Sequence, residues 1–218
     1  MGKDKLRRFA EIASFNNVFE LNEGKPLKGN WNANYFKNEN PVVLELGCGK
    51  GEYTLNLAKL YPQKNFIGID YKGNRIWRGA KTALEEQINN VAFIRMQIEN
   101  LLDYFAEGEI SEIWITFPDP QPQVGREKKR LTSIRFLNMY RSILNSTGIL
   151  HLKTDSDDLH NYTCEKINEH QLNLIAKTQD LYKSDLLNDI LSIKTYYEQK
   201  YLASNKNINY VKFSFVNE

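Results

Sequence analysis

From Pro41 onward the chain alternates short apolar segments with longer segments of helical periodicity, and this alternation limits the folds that it can adopt. The first five apolar segments are VVLELG (42–47), NFIGID (65–70), VAFIRM (91–96), EIWITF (112–117) and GILHLKTD (148–155). Between them, apolar residues recur every three or four positions, which is typical of amphipathic helices. Strands that alternate with helices form a parallel sheet with helices on both faces. The sequence therefore predicts an α/β fold.

Two more strands are predicted near the C-terminus, LNLIAKTQDL (172–181) and INYVKFSFV (208–216), which makes a mostly parallel sheet of seven strands. The last strand follows a short connection, so we expect it to run antiparallel at or near the edge of the sheet. Residues 1–40 are predicted to form a separate leader of one helix and a loop. Residues 41–218 form the α/β domain, and a chain of 218 residues is long enough for a sizeable core.

Charge and cysteine usage narrow the functional class. The net charge is only +2, so a nucleic-acid surface has to be a local patch. No apolar run approaches the roughly 20 residues that span a bilayer, and the first residues lack the apolar region of a signal peptide. The two cysteines and three histidines have no metal-type spacing. We therefore expect a cytoplasmic protein without a membrane segment or a metal, either a monomer or a homodimer.

The glycine-rich segment LELGCGKG (44–51) follows the first predicted strand and opens a helix. Gly47, Gly49 and Gly51 are spaced one residue more tightly than the dinucleotide fingerprint G-x-G-x-x-G. Glu45 precedes them, and a carboxylate there disfavours a pyrophosphate but favours an ammonium group. S-adenosylmethionine carries an ammonium and a sulfonium and no phosphate. Glu45 and the three glycines are therefore predicted to bind this cofactor, whereas a nicotinamide dinucleotide is disfavoured.

Asp70 ends the second predicted strand, about 20 residues beyond the glycine loop, where an acid can accept from both ribose hydroxyls. The alternative is that the glycines form only a tight turn, since such turns are common between strands and helices. The glycine loop, Glu45 and Asp70 occurring together favour the cofactor site.

A second stretch, ITFPDPQPQVGREKKRL (115–131), begins as a buried strand and continues into a basic loop. Ligands of open α/β sheets bind beyond the carboxyl ends of the strands. Pro118 and Pro120 restrict the backbone around Asp119, so the carboxylate is expected in a preset, extended position there. The basic segment that follows, Arg126, Lys128, Lys129 and Arg130, with Arg135 on the next helix, suits phosphate contacts. The alternatives are a proline-bounded turn and a solvated charged loop.

This stretch resembles the signature of the bacterial tRNA (guanine-N7-)-methyltransferase family. The resemblance extends through LKTDS (152–156), DLY (180–182) and TYYE (195–198), and covers about residues 42–216. It implies a Rossmann-like class I methyltransferase fold, S-adenosylmethionine as methyl donor, and transfer to N7 of guanosine 46 in the tRNA variable loop. It also implies that Asp119 is catalytic and contacts the cofactor, that Gln97 holds the adenine, and that six residues bind the substrate: Gln123, Asp155, Thr195, Tyr196, Tyr197 and Glu198.

The sequence departs from the family pattern at four of its positions. Gln121 replaces a usual Trp, Gln123 a Lys that contacts the substrate, Gly125 a usual Arg, and Gln97 an acid. The carbonyl of Gln97 can still accept the adenine amino hydrogen.

Several of the substrate residues also have structural alternatives. Asp155 could cap the helix that follows it. Thr195 and Glu198 form a capping box, T-x-x-E. Tyr196 and Tyr197 could stack on a base, with one of the two expected in the core.

The chemistry of guanine explains what Asp119 would do. N7 carries a free lone pair, so methyl transfer needs in-line placement rather than a general base. Asp119 can accept hydrogen bonds from N1 and the amino group, which selects guanine, and can stabilise the positive charge that develops on the purine. Two alternatives remain open. One is a methyltransferase for another RNA or a small molecule, and the other is a non-catalytic RNA-binding module.

Overall fold

The computed structural model describes residues 2–20 and 22–216. The strands are β1 (Val18–Glu20), β2 (Val42–Leu46), β3 (Asn65–Asp70), β4 (Val91–Arg95), β5 (Ile110–Thr116), β6 (Leu144–Thr154), β7 (Asn173–Thr178) and β8 (Asn209–Ser214). The helices are α1 (Gly2–Ile12), α2 (Glu52–Leu60), α3 (Gly73–Glu85), α4 (Leu101–Tyr104), α5 (Ile134–Ile143), α6 (Asp157–Glu169) and α7 (Tyr196–Ala203). Strands and helices alternate from β2 to α6, as the sequence predicts.

The strands form one sheet in the order β1-β4-β3-β2-β5-β6-β8-β7. All neighbours from β1 to β6 are parallel, and β8 is antiparallel to both β6 and β7. The predicted α/β fold with a mostly parallel sheet and an antiparallel last strand is confirmed. The chain order reverses between β2 and β5. Their carboxyl ends therefore flank the crevice where open α/β sheets bind ligands.

The predicted number of seven strands is wrong, because the leader contributes β1. Val18–Glu20 pairs with Phe93–Arg95 of β4 at one edge of the sheet. A strand of three residues is too short to show alternation, so the sequence pattern gave no signal for it. At the other edge β7 is largely exposed, and β8 lies one position inside it with mostly buried side chains.

Helices cover both faces of the sheet, and successive side chains of each strand point to opposite faces. In β2, Val43 packs with Tyr53 of α2 and Ile76 of α3 in one apolar cluster. Leu44 packs on the other face with a second cluster, which includes Phe136 of α5. The strands are thus buried on both sides, which explains their nearly continuous apolar sequences.

The glycine loop after β2 is pressed against α3. Gly51 has a left-handed backbone with φ +71, and a Cβ there would lie 2.6 Å from Cε1 of Phe93. A Cβ on Gly79 of α3 would lie 2.6 Å from the carbonyl oxygen of Lys50. Gly51 belongs to a recognisable glycine-rich segment, whereas Gly79 has no local sequence signal, because the close approach involves residues that are far apart in the chain.

We expect Gly79→Ala to destabilise the protein by about 1–3 kcal/mol, because the added methyl group overlaps the backbone of the glycine loop. The gain in helix propensity of roughly 0.5–1 kcal/mol offsets only part of this cost. Urea unfolding of parent and variant measures the difference. Gly125→Ala is the control, since a Cβ there meets no atom within 4 Å. Equal urea concentrations at the unfolding midpoint for parent and Gly79→Ala would show that the glycine loop can move away from α3 to make room for the methyl group.

Candidate active site at the carboxyl ends of β2, β3 and β5

Two adjoining cavities lie beyond the carboxyl ends of the strands. The larger has a volume of about 430 Å³ and includes Asp70, Gln97 and Asp119 in its lining. The smaller has a volume of about 110 Å³ and lies between the glycine loop and the segment Thr195–Tyr197. Three residues line both cavities: Gly47, Arg75 and Phe117. The structure therefore places most of the predicted cofactor residues around two adjoining cavities.

Asp70 joins the end of β3 to the glycine loop. Its side chain is buried and lines the larger cavity. Oδ2 accepts a hydrogen bond from the backbone N–H of Gly49 at 3.0 Å, and Oδ1 accepts one from the N–H of Lys72 at 2.8 Å. Each oxygen of a carboxylate has a further lone pair. The carboxylate can thus accept two more hydrogen bonds from a ligand in the cavity.

Glu45 lines the smaller cavity but is already bound by protein groups. Oε2 accepts from the backbone N–H of Thr54 at 2.8 Å and from the Thr54 hydroxyl, and Oε1 accepts from the Thr116 hydroxyl at 2.6 Å. Burial raises the pKa of Glu45 to about 7, although the hydrogen bonds from Thr116 and Thr54 act in the opposite direction. Glu45 therefore connects β2, β5 and the first turn of α2. Because its pKa is near neutral, a cation nearby would shift it toward the ionised form.

Asp119 lies on the rim of the larger cavity. Its side chain is exposed, and Oδ1 accepts a hydrogen bond at 3.0 Å from the backbone N–H of Gln121. Phe117 and Gln121 have left-handed backbones, with φ values of 49 and 45. Such conformations are strained for residues other than glycine and are concentrated at functional sites. The turn thus fixes Asp119 beside the cavity through its own hydrogen bond as well as through the two prolines.

The basic segment begins in a 3₁₀ helix, Val124–Lys129, and Arg130 follows that helix directly. Its side chains differ in exposure and in their partners. Arg126, Lys128 and Lys129 are exposed, and Lys129 lines the larger cavity. Nε of Arg130 donates to the carbonyl of Gln121 at 3.1 Å, and its guanidinium lies 4.4 Å from the centroid of the Tyr162 ring. Arg130 therefore attaches the segment to the Asp119 turn.

Three predicted substrate residues line neither cavity: Gln123, Asp155 and Glu198. Gln123 is exposed. Asp155 pairs with Lys206, with Oδ2 and Nζ 2.8 Å apart. The alternative that Asp155 caps α6 is wrong, because the cap is Ser156, which accepts from the N–H of Leu159.

The segment TYYE opens α7, and its residues point in different directions. The hydroxyl of Thr195 accepts from the N–H of Glu198 at 3.2 Å, so the Thr195 half of the predicted capping box is confirmed. The other half is absent, because the Glu198 side chain bonds Lys153 and Tyr182 and not the N–H of Thr195. The carboxylate of Glu198 is fully buried and pairs with Lys153 at 2.8 Å. Tyr196 and Tyr197 are both exposed beside the smaller cavity, so the expectation that one of them is in the core is wrong.

Some residues of the site had no clear sequence signal. Phe117 and Arg75 line both cavities, and Met96 and Ile98 add apolar surface to the larger one. Phe117 belongs to the quoted stretch, so its place after a strand could have identified it. Among residues 2–20 and 22–216, no group of three acidic, histidine or cysteine side chains could hold a metal ion. In the same part of the chain, no helix is long and apolar enough to cross a membrane.

Comparisons with known proteins define the class. Residues 39–211 match the family model described as "Putative methyltransferase". The structure resembles that of the 16S rRNA methyltransferase KamB, with a TM-score of 0.64 at 12% identity over 84% of this chain and 91% of that one. It also resembles a SAM-dependent methyltransferase from Aquifex aeolicus, with a TM-score of 0.57 at 10% identity over 81% of this chain and 82% of that one. The chain therefore has the class I methyltransferase fold.

Closer relatives define the family. One from Bacteroides fragilis (strain YCH46) is 51% identical over 98% of this chain and 86% of its own length. Another, from Christiangramia forsetii, is 50% identical over 97% of both chains. Both are named tRNA (guanine-N(7)-)-methyltransferase. The chain belongs to the tRNA (guanine-N(7)-)-methyltransferase family.

Proposed function

We propose that this protein transfers a methyl group from S-adenosylmethionine to N7 of guanosine 46 in the tRNA variable loop and so forms 7-methylguanosine. The names of the relatives support guanine N7 of tRNA as the target, and the sequence resemblance supports position 46. The observation that carries the proposal is a pair of adjoining cavities, lined by the glycine loop and Asp70, with the exposed side chains of Asp119 and Lys129 beside the larger one.

The residues of the two cavities fit S-adenosylmethionine, which supplies a methyl group on a positively charged sulfur. Asp70 would accept from the ribose hydroxyls, because each of its oxygens has a lone pair left. The carbonyl of Gln97 would accept from the adenine amino group, between the apolar surfaces of Met96 and Ile98. Glu45 would favour the cationic methionine end in the smaller cavity, since a nearby positive charge stabilises the ionised carboxylate.

Asp119 and the basic segment would hold the base and the RNA. Asp119 accepts from the N1 and amino hydrogens of guanine, which adenine cannot donate in the same arrangement, and its charge balances the charge that develops on the purine. Arg126, Lys128 and Lys129 are free to contact phosphates, because their side chains are exposed. The lone pair of N7 needs no base to remove a proton, so the protein acts mainly by orientation and charge.

Asp70→Asn should weaken binding of S-adenosylmethionine by about 10- to 150-fold, since the loss of a charged hydrogen-bond partner costs roughly 1.5–3 kcal/mol. Titration calorimetry measures the affinity. Thermal unfolding without cofactor controls for the two backbone hydrogen bonds that Asp70 accepts. Asp103→Asn is the matched control, because Asp103 pairs with Lys25 and lines neither cavity. Unchanged affinity of Asp70→Asn would rule out the ribose contact.

The proposed function is tested by incubating the purified protein with labelled S-adenosylmethionine and unmodified tRNA, and then digesting the tRNA to nucleosides. We expect label only in 7-methylguanosine. Free guanosine and other small acceptors serve as the comparison. Label in a small acceptor without label in tRNA would instead identify a small-molecule methyltransferase. Cofactor binding without any transfer would identify a binding module.

A further inference from the structure

Lys153 is a lysine in the interior of the sheet, and the proposed transfer does not use it directly. Its side chain is fully buried on β6. Nζ donates to the carbonyls of Leu191 and Ile193 at 2.9 and 3.1 Å, and pairs with the carboxylate of Glu198 at 2.8 Å. Burial lowers the pKa of Lys153, and the charge of Glu198 opposes this shift. Burying a charge costs free energy unless its partners compensate for the lost hydration. The buried ammonium group of Lys153 therefore points to a specific role for this residue.

The three partners of Nζ lie close together in the sequence: Leu191 and Ile193 precede α7, and Glu198 is in its first turn. The same segment supplies the wall of the smaller cavity at Thr195, Tyr196 and Tyr197. Oε1 of Glu198, which lies 2.8 Å from Nζ of Lys153, also accepts from the hydroxyl of Tyr182 at 3.0 Å. The side chain of Lys153 therefore bonds the segment that carries this wall to β6.

The backbone of Lys153 holds the opposite wall. Its carbonyl accepts from the N–H of Phe117 at 2.8 Å. Phe117 lines both cavities and has a left-handed backbone, which costs on the order of 1–3 kcal/mol and persists only where the surroundings maintain it. Asp119 follows two residues later. Lys153 is thus bonded to Phe117 in one wall of the smaller cavity, and to Ile193 and Glu198, which flank the residues of the other wall.

We propose that Lys153 is a positioning residue. It sets the width of the smaller cavity, between Phe117 at the start of the Asp119 turn and residues 195–197, and thereby aligns the methyl donor with the base. The inference rests on the proposed function, in which the methionine end of the cofactor occupies the smaller cavity. Alignment has a large effect on the rate, because a displacement of the reacting groups by 1 Å can lower the rate of the chemical step about 10²-fold. Lys153 acts through Phe117 and Glu198 and does not touch the substrate.

The test compares the double variant Lys153→Met/Glu198→Gln with Glu198→Gln alone. Both lack the Glu198 carboxylate, so their difference isolates Lys153, and the double variant leaves no buried charge unpaired. We expect kcat of the double variant to be about 10²-fold lower than that of Glu198→Gln. The affinity for tRNA should stay within about threefold, because the basic segment is untouched. A merely structural role would instead lower the unfolding midpoint without lowering kcat of the folded fraction. Equal kcat values would overturn the proposal.

Two further variants complete the design. Lys64→Met removes an ion pair with Glu112, with Nζ and Oε2 2.9 Å apart, near the amino ends of the strands, and should leave kcat unchanged. If either variant does not fold, Tyr182→Phe decides, because it removes one hydrogen bond to Glu198 and leaves the ion pair of Glu198 with Lys153 intact. A severalfold lower kcat then supports the inference, and a parental kcat overturns it. A parent protein that forms no 7-methylguanosine would refute the proposed function instead, so the two failures are distinguishable.

Discussion

Replacing Asp119 with alanine is expected to lower kcat for methyl transfer to tRNA by about 10²–10³-fold, the usual effect of removing one preorganised group that stabilises transition-state charge. The affinity for S-adenosylmethionine should stay within about threefold, because the ribose and adenine contacts that we assign to Asp70 and Gln97 remain. Asp119 is suited to this role because it lies on the cavity rim and is fixed by its bond to the N–H of Gln121. Single-turnover transfer with labelled cofactor measures the rate.

Asp119→Asn separates catalysis from the turn. Asparagine keeps an oxygen for the N–H of Gln121, so the turn should persist, but it cannot accept from both the N1 and amino hydrogens of guanine. We expect this variant to be impaired nearly as much as Asp119→Ala. Near-parental turnover in both variants would mean that Asp119 is only a turn residue.

Replacing Arg126, Lys128 and Lys129 together with glutamine should weaken tRNA binding and leave cofactor binding nearly intact. If each side chain contacts one phosphate, each releases counterions, and the slope of log affinity against log salt should fall by about 0.7–0.9 per contact. The loss should be nearly uniform across tRNA sequences, because phosphate contacts carry no base information. Arg130 is kept, since it is bonded to the Asp119 turn. Binding measured at several salt concentrations gives the slopes.

The control for the basic segment is the double variant Lys59→Gln/Lys64→Gln. These lysines pair with Glu86 and Glu112 at the amino ends of the strands, away from the proposed RNA surface. Their replacement should leave the salt slope parallel to that of the parent. Parallel slopes for the basic-segment variant as well would mean that the RNA binds elsewhere.

The proximity of residues at the carboxyl ends of the strands could be predicted from the sequence. Parallel strands present their carboxyl ends at one edge, so Asp70, Asp119 and the glycine loop could be expected near one another, and Asp70 does bond to Gly49. Local periodicity also identified every strand from β2 onward. These predictions succeeded because each rests on residues that are close in the sequence or on a rule of sheet topology.

Contacts between residues that are far apart in the sequence could not be predicted in this way. Glu198 was predicted to contact substrate, but it is buried against Lys153, a residue 45 positions away. Asp155 has the same residue type and strand-end position as Asp70, yet it pairs with Lys206 and lines neither cavity. No local pattern encodes which partner will reach a carboxylate, so these orientations had to come from the structure.

The most direct test of the account uses two tRNA transcripts that differ only at position 46, one with guanosine and one with adenosine. Each is incubated with the protein and S-adenosylmethionine, and 7-methylguanosine is located by chemical cleavage of the RNA at that nucleoside. We expect cleavage at position 46 of the guanosine transcript and none in the adenosine transcript. Equal methylation of both transcripts, or cleavage at another position, would contradict it.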